Sequence, residues 1–374
     1  MKRRNFILNS LLIGTGATVT PNLLLGAKSK NEIAFIDRIL PAPVGGGYQD
    51  PDYWIWGSSV IKGEDGKYHM FASRWLKALG FGKWVTNSEV VHAVADTPVG
   101  PYKTVEVALP VRGKEYWDGL CTHNPKVVKY KDKYLLYYFG NTYDFRQPTV
   151  DDTSLDSEDR TKAWMNKRVG VAISDSVYGP WKRLDKPVIE PREGHWDASI
   201  TSNPAPVVNV KTGEILLMYK SSTYGKRPPL LLGVAKATNP EGPYERLSEE
   251  PIFRFDSPGK ERVDVEDPFV WWNGEKYEAI IKDRSGEICG EEGGGIHAWS
   301  NDGVKWQLFD KVKAYSRDVL WDDGRITHQN HFERPFLLVE NGVPTHLFAA
   351  TGNGPKAWSF DKTWNMVIPL STDF

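Results

Sequence analysis

Five segments of this chain repeat one pattern, and that repetition limits the possible folds more than anything else in the sequence. Each repeat has a short apolar strand, a tight polar turn and a second strand rich in aromatics. The pairs are Ser58–Ile61 with Tyr68–Phe71, Asn124–Val128 with Tyr134–Tyr137, Asn203–Val207 with Ile215–Tyr219, Asp267–Val270 with Tyr277–Ile280, and Arg334–Leu338 with His346–Phe348. A third strand follows, such as Val169–Ile173 or Leu232–Ala235, and leads through Gly100-Pro101-Tyr102, Gly179-Pro180-Trp181 or Gly242-Pro243-Tyr244 into a fourth. The fourth repeat substitutes Asp302-Gly303-Val304-Lys305-Trp306 for that turn, and the fifth keeps only Trp358-Ser359-Phe360 and Trp364. Four strands in each of five repeats predict an all-β, five-bladed β-propeller. A β-sandwich has no reason to repeat every 70 residues or so. Proline at the start of a first strand fits, because that residue can lack a ladder N–H without breaking a pair.

Composition agrees with this reading: 15 Trp, 16 Tyr and 15 Phe beside 34 Gly and 25 Pro favour many short strands and turns. Lys and Arg number 47 against 48 Asp and Glu, so the net charge of −1 exerts no general pull on nucleic acid. Cys121 and Cys289 cannot form a disulfide framework, and no Cys/His pair has zinc-site spacing. Residues 1–27 read as a twin-arginine-like export signal: Lys2-Arg3-Arg4-Asn5-Phe6-Ile7 precedes an apolar run through Leu25, then Gly26-Ala27. Polar residues and Pro21 interrupt that run, so it is not a membrane span. The expectation is a periplasmic or secreted protein in which residues 28–374 form a single propeller catalytic domain. The polar stretch Pro148–Lys167 is a long insertion in the second blade, a lid or a solvated loop.

First strands line a propeller's channel, so residues beside them converge on one funnel. The slot before the first-strand proline holds Ser58 (aligned without a proline), Asn124, Asn203, Asp267 and Arg334. One position earlier stand Gly57, His123, Ser202, Glu266 and Glu333; six earlier stand Asp52, Asp118, Asp197, Glu261 and His328. Glycoside hydrolysis needs two carboxyl groups about a glycosidic bond, one protonated and one ionised, and the cluster of Glu266, Asp267 and Glu333 can supply both. Asp52 lies in Gln49–Trp56, where polar and aromatic residues interleave as a sugar-binding wall requires. Trp117-Asp118 and Trp196-Asp197 recur at one interval, either as caps of blade connections or as channel carboxylates. His123, His328 and His331 are placed to bind sugar hydroxyls, act as general acids or ligate a metal. Gly293-Gly294-Gly295 opens no helix and reads as a turn.

The five repeats with their Gly-Pro-aromatic turns resemble the five-bladed-propeller glycoside hydrolases, above all families 43 and 117, from about Asp50 to Leu370. The resemblance implies action on plant or algal oligosaccharides, usually with inversion, by a base, an acid and a carboxylate that tunes the acid. Slots in which family 43 carries carboxylates hold Ser58, Asn124 and Ser202-Asn203 here, so its catalytic residues do not carry over by position. Glu266-Asp267-Pro268 and Asn203-Pro204-Ala205 also look like motifs of family 130, which includes mannoside phosphorylases.

The resulting expectation is an exo-acting glycoside hydrolase with Asp52 as base, Glu333 as acid and Glu266 or Asp267 as modulator, Asp197 standing in if the register differs. Trp56, His123, Asn124, Asn203, His331 and Arg334 would hold sugar hydroxyls. Arg74, Lys220, Lys282 and Arg334 make the mouth basic and suit an acidic oligosaccharide. No cofactor, metal or nucleic-acid partner is called for. The rivals are a polysaccharide lyase using His331 or His123 with Arg334, a glycoside phosphorylase, and a non-catalytic carbohydrate-binding propeller.

Overall fold

The first two strands of every repeat are buried almost without interruption, polar residues included, because they are covered on both faces by neighbouring blades. The computed structural model describes residues 33–225, 228–253, 265–356 and 358–373; the export-signal reading of residues 1–27 and Glu261 lie outside them. Blade 1 comprises β1 (Tyr53–Lys62), β2 (Tyr68–Leu76), β3 (Glu89–Ala95) and β4 (Lys103–Leu109). Blade 2 comprises β5 (Cys121–Tyr130), β6 (Lys133–Asn141), β7 (Arg168–Ser174) and β8 (Lys182–Arg183). Blade 3 comprises β9 (Ser202–Val208), β10 (Ile215–Ser221), β11 (Leu231–Ala237) and β12 (Glu245–Arg246). Blade 4 comprises β13 (Val265–Trp272), β14 (Tyr277–Asp283), β15 (Gly295–Ser300) and β16 (Gln307–Tyr315). A small hairpin, β17 (Asp318–Leu320) and β18 (Ile326–His328), precedes blade 5, made of β19 (Glu333–Glu340), β20 (Val343–Asn353) and β21 (Lys362–Pro369).

Each blade is an antiparallel meander in chain order. The first strands close a ring: β1 meets β5 and β19, β9 meets β5 and β13, and β13 meets β19. The chain is thus the predicted five-bladed propeller, and its apolar core lies between blades, as where Ile55, Met70, Phe269 and Leu347 share one cluster. The described residues form one compact unit.

Blade 5 lacks a fourth strand of its own. The chain's beginning covers that edge: Tyr48 and Asn365 exchange both backbone hydrogen bonds at 2.9 Å, and the Leu40 N–H donates to the Pro369 carbonyl. The edge that blade 5 would expose is paired in this way, and the ring is tied shut.

Most of the blade 2 insertion is exposed, but it is anchored through Ala163 and Lys167. It carries α2 (Ser157–Met165), whose first turn is capped by Asp156 accepting from the Asp159 N–H at 2.8 Å. Ala163 packs against Val85 of α1 (Trp84–Asn87), Leu120 and Tyr143, and Asn141 donates to the Ala163 carbonyl. Among the described residues no helix is long and apolar enough to cross a membrane.

Candidate active site

All five first strands carry a one-residue bulge at the same level, where pairing with the second strand slips. The residue opening each bulge has a left-handed backbone: Gly57 (φ 29°), Asn124 (51°), Asn203 (49°), Asp267 (56°) and Arg334 (55°). Gly57, not Ser58, therefore holds the blade 1 slot. The sequence register slipped by one there because it was anchored on a proline that blade 1 lacks, and Ser58 occupies the proline's own position. Asn and Asp tolerate this conformation and Gly accepts it freely, whereas Arg334 is held there against its preference.

The bulge turns these residues toward the axis, where they form a belt. Asn124 Nδ2 donates to Asn203 Oδ1 (2.9 Å), Asn203 Nδ2 to Asp267 Oδ1 (2.6 Å) and the Arg334 N–H to Asp267 Oδ2 (3.2 Å), while the Arg334 guanidinium pairs with Asp267. Gly57 closes the ring, for a Cβ there would meet Asn124 Oδ1 at 2.6 Å. The space left among these side chains is about 10 Å³, the lower limit for one water. Asp267, Asn124 and Asn203 thus plug the channel, and chemistry belongs to the layer above.

That layer consists of the residues preceding the bulges and their partners on the second strands: Trp56 opposite Ser73, His123 opposite Phe139, Ser202 opposite Lys220, Glu266 opposite Lys282, and Glu333 opposite Ala350. Its charged members bond from blade to blade. Lys220 Nζ lies 2.9 Å from Glu266 Oε2, and Lys282 Nζ lies 3.4 Å from Glu266 Oε1 and 2.5 Å from Glu333 Oε1. Arg284 Nε is 3.2 Å from Glu266 Oε1, and Arg334 is 3.8 Å from Glu333 Oε2.

Burial by itself would raise the carboxyl of Glu266, but Lys220, Lys282, Arg334 and Arg284 outweigh it and hold the group well below the usual range. Glu333 follows the same rule: burial opposes ionisation, and Lys282 with the His331 hydrogen bond overcomes it. Lys282, between the two carboxylates, is raised despite burial, whereas burial wins at Lys220 and lowers it. Glu266, Asp267 and Glu333 bring oxygens within 4.8 Å of one another, close enough for a cation. The positive charge that such a set needs is already supplied by Lys220, Lys282 and Arg334.

The other half of the mouth is aromatic. Trp56 packs with Phe81 (5.2 Å between ring centroids) and Phe360 (5.8 Å), and His331 lies 4.0 Å from Trp358, whose ring is 58% exposed. His331 Nδ1 is 3.3 Å from Glu333 Oε1, and the Trp358 N–H donates to Nε2 at 3.4 Å, which places the ring proton on Nδ1. His123 is buried against Trp84, Trp75 and Phe139 and bonded to Ser88 Oγ at 2.7 Å. Burial, and then the nearby Arg334, Lys167 and Lys220, push its imidazole well below the usual histidine range.

The structure therefore brings together Glu266, Glu333, Lys220, Lys282, His123, His331 and Trp56, with Asn124, Asn203, Asp267 and Arg334 in the belt beneath them. Other predicted residues stand apart. Asp52 is exposed in the turn before β1, where its N–H donates to Asp50 Oδ1. Arg74 is paired with Glu89 at 2.9 Å and stacks on Tyr53. Asp197 is buried beneath Trp196, bonded to Arg192, Arg246 and Tyr219, as Asp118 is to Arg112, Arg183 and Tyr138. His328 pairs with Asp318 on the exposed β17–β18 hairpin. Sequence reasoning missed Trp358, Arg284 and Lys167; only Arg284, two residues after Lys282 on the same strand exit, had a signal that could have found it. A broad groove of about 980 Å³ runs along α2, lined by Tyr143, Thr161, Met165 and Tyr224 among others.

No protein-family model matches the chain. Among curated proteins a β-D-galactofuranosidase of Aspergillus niger is 29% identical over 129 residues, covering 34% of this chain and 32% of that protein. Among solved structures a family 117 glycoside hydrolase of the marine bacterium Zobellia galactanivorans superposes with a TM-score of 0.59 at 18% identity, over 86% of this chain and 85% of that one. This is the propeller of the family 43 and 117 glycoside hydrolases. A thermostable family 43 glycoside hydrolase matches with a TM-score of 0.57 at 15% identity, covering 87% and 93% of the two chains. An α-L-arabinofuranosidase of Lactobacillus brevis gives 0.54 at 11% identity, covering 87% and 94%. The match to the galactofuranosidase spans about a third of that relative.

Proposed function

We propose that this protein is an exported, exo-acting glycoside hydrolase that removes a terminal acidic sugar from plant or algal oligosaccharides at the funnel mouth. The observation that carries the reading is one layer of the propeller in which carboxylates, a surplus of cations and an aromatic wall surround a single axis. The exposed Trp358 ring beside His331 offers a stacking face for a sugar, and a carboxylate or sulfate would be drawn by Lys220, Lys282 and Arg334.

The geometry redistributes the roles expected from sequence. Lys282 keeps both glutamates ionised, so neither holds a proton to give. That task suits His331 in its imidazolium form, with Glu333 holding the Nδ1 proton and Nε2, once released by the Trp358 N–H, carrying the proton that is given. Glu266 is then the base for water. An acidic sugar that draws Lys220 toward itself relieves the charge on Glu266 and makes it more basic, which couples substrate charge to turnover. Asp52, on the rim, is the second choice for base and acts only if the substrate reaches it. The retained charge on both glutamates also suits β-elimination from a uronate, with His331 as base and Arg334 neutralising the sugar carboxylate.

Incubation with matched acidic and neutral oligosaccharides tests these readings. Hydrolysis adds one water to the products, elimination leaves an unsaturated uronate that absorbs in the ultraviolet, and phosphorolysis requires phosphate. The expected result is hydrolysis with a preference for the acidic substrate that shrinks as salt rises from about 0.01 to 0.15 M. Equal, salt-insensitive cleavage of both removes the acidic preference and leaves the hydrolase; no release of sugar from either overturns the proposal.

A further inference from the structure

Four lysines are buried among the described residues, and three of them have partners. Lys126 reaches the carbonyls of Ser58 and Pro335, Lys220 reaches Glu266, and Lys282 bridges Glu266 and Glu333. The fourth, Lys167, is 2% exposed; its carbonyl accepts from the Thr201 N–H and from Arg168, but its Nζ has no hydrogen bond or ion pair within the described residues. It ends the blade 2 insertion, one residue before β7. Its Nζ lies 3.8 Å from the ring centroid of Trp164, 5.6 Å from Trp84 and 5.5 Å from Phe139.

These rings favour a cation, yet they accept none of the three N–H bonds that an ammonium can donate. Unlike wholly enclosed unpartnered atoms such as Asn124 Oδ1, the Lys167 Nζ keeps contact with solvent, so it is open to a ligand that supplies an acceptor. Trp84 and Phe139 also contact His123 of the mouth layer, so Lys167 lies beside that layer at blade 2. The charged groups that act on it are Lys220 and Arg334, which add to the effect of burial in lowering its ammonium, and Glu266 and the Cys121 thiol, which oppose them.

We propose that Lys167 is the anchor for the anionic oxygen group, carboxylate or sulfate, of the sugar bound at the mouth, and that the Pro148–Lys167 insertion serves to deliver it. This rests on the acidic-substrate reading above and adds the residue that sets the specificity. The apolar rings of Trp84 and Trp164 beside Nζ strengthen the charge-assisted bond. Lys167 is the only lysine of the four whose Nζ donates to no group of the described residues, and an anion beside it would favour the ammonium that burial, Lys220 and Arg334 disfavour.

The full chain and its Lys167→Met and Lys167→Arg variants are titrated with galacturonate, galactose 6-sulfate and galactose, read by tryptophan fluorescence, since Trp84 and Trp164 line the subsite. The wild type is expected to bind one of the anionic sugars about tenfold or more tighter than galactose. Lys167→Met should lose that preference while binding galactose as before, and Lys167→Arg should keep most of it; whichever anion binds tighter identifies the group. If Lys167→Met does not fold, Lys167→Gln replaces it, and on the wild type the methyl ester of galacturonate should bind as weakly as galactose. An anionic preference that survives removal of the lysine, an equal loss for all three sugars, or no preference in the wild type overturns the proposal. Because binding needs no turnover, a chain that cleaves nothing yet binds galacturonate through Lys167 removes the hydrolase reading alone. A hydrolase whose acidic preference ignores Lys167→Met removes the subsite alone.

Discussion

In blades 2 and 3, Asp118 and Asp197 each accept a tyrosine hydroxyl and two arginine side chains beneath a stacked tryptophan, whereas in blades 4 and 5 Glu266 and Glu333 share one lysine at the axis. Both pairs are buried and both are charge-compensated. The aspartates repeat with equivalent partners: Trp117 on Tyr138 and Trp196 on Tyr219, each stacked at an interplanar angle of 16°. Gly170 and Gly233 face those rings, and a Cβ would come within 2.4 Å of Trp117 and 2.5 Å of Tyr219. A motif that recurs with its whole environment belongs to the scaffold, because each blade must solve the same packing problem. The glutamates occupy a backbone position that holds Trp56, His123 and Ser202 in the other blades, so nothing about building a blade demands a carboxylate there.

The contrast breaks most decisively on turnover. Glu266→Gln and Glu333→Gln are expected to reduce turnover of a cleaved oligosaccharide by about 10²–10⁴-fold. Both also lose stability, because Lys220 or Lys282 is left buried without its counter-charge; steady-state rates must be normalised to folded protein. Asp118→Asn and Asp197→Asn should do the reverse, destabilising the fold by about 3–5 kcal/mol in denaturant melts while folded enzyme keeps near-normal turnover. If Asp197→Asn abolishes turnover in a stable protein, the distinction between scaffold and site collapses.

A smaller effect sharpens the view of the axial belt. Gly57→Ala puts a methyl group against Asn124 and Arg334 in a left-handed backbone, and about 1–3 kcal/mol of stability should be lost. Ser58→Ala, one residue on, should cost much less, and equal losses would show that the belt does not depend on Gly57.

The last effect is one of pH. Burial at the axis pushes Lys126 down to about 7 against the opposing pull of Asp267. The unfolded chain therefore binds more protons than the folded one between about pH 7 and 10.5, and this lysine makes stability rise with pH across that window. Lys126→Met should be more stable than the wild type at pH 6, with the gap closing toward pH 10. A gap that stays constant with pH would show that Lys126 remains charged at the axis.

How much of this was legible in the sequence depends on whether the signal is local. Proline marks four of the five first strands, so the slots at Asn124, Asn203, Asp267 and Arg334 were readable, but blade 1 shifted by one because a left-handed φ leaves no trace when the residue after Gly57 is serine. The carboxylates of Glu266 and Glu333 could be placed beside the axis from spacing alone. That Lys282 stands between them was not readable, because cross-strand pairing and the gap between two blades decide it.

The sequence by itself determined the five-bladed ring, the polar level at which five strands converge and the two blades that bring glutamates to it, since each follows from a repeat whose strands must be buried on both faces. Tertiary structure decided which charges meet. It closed blade 5 with the segment ahead of β1, set Lys167 against the rings of Trp84, Phe139 and Trp164 and committed Asp197 to the scaffold. These outcomes depend on contacts between residues tens to hundreds of positions apart, and the energies of buried charges are set by such neighbours rather than by the residues that carry them.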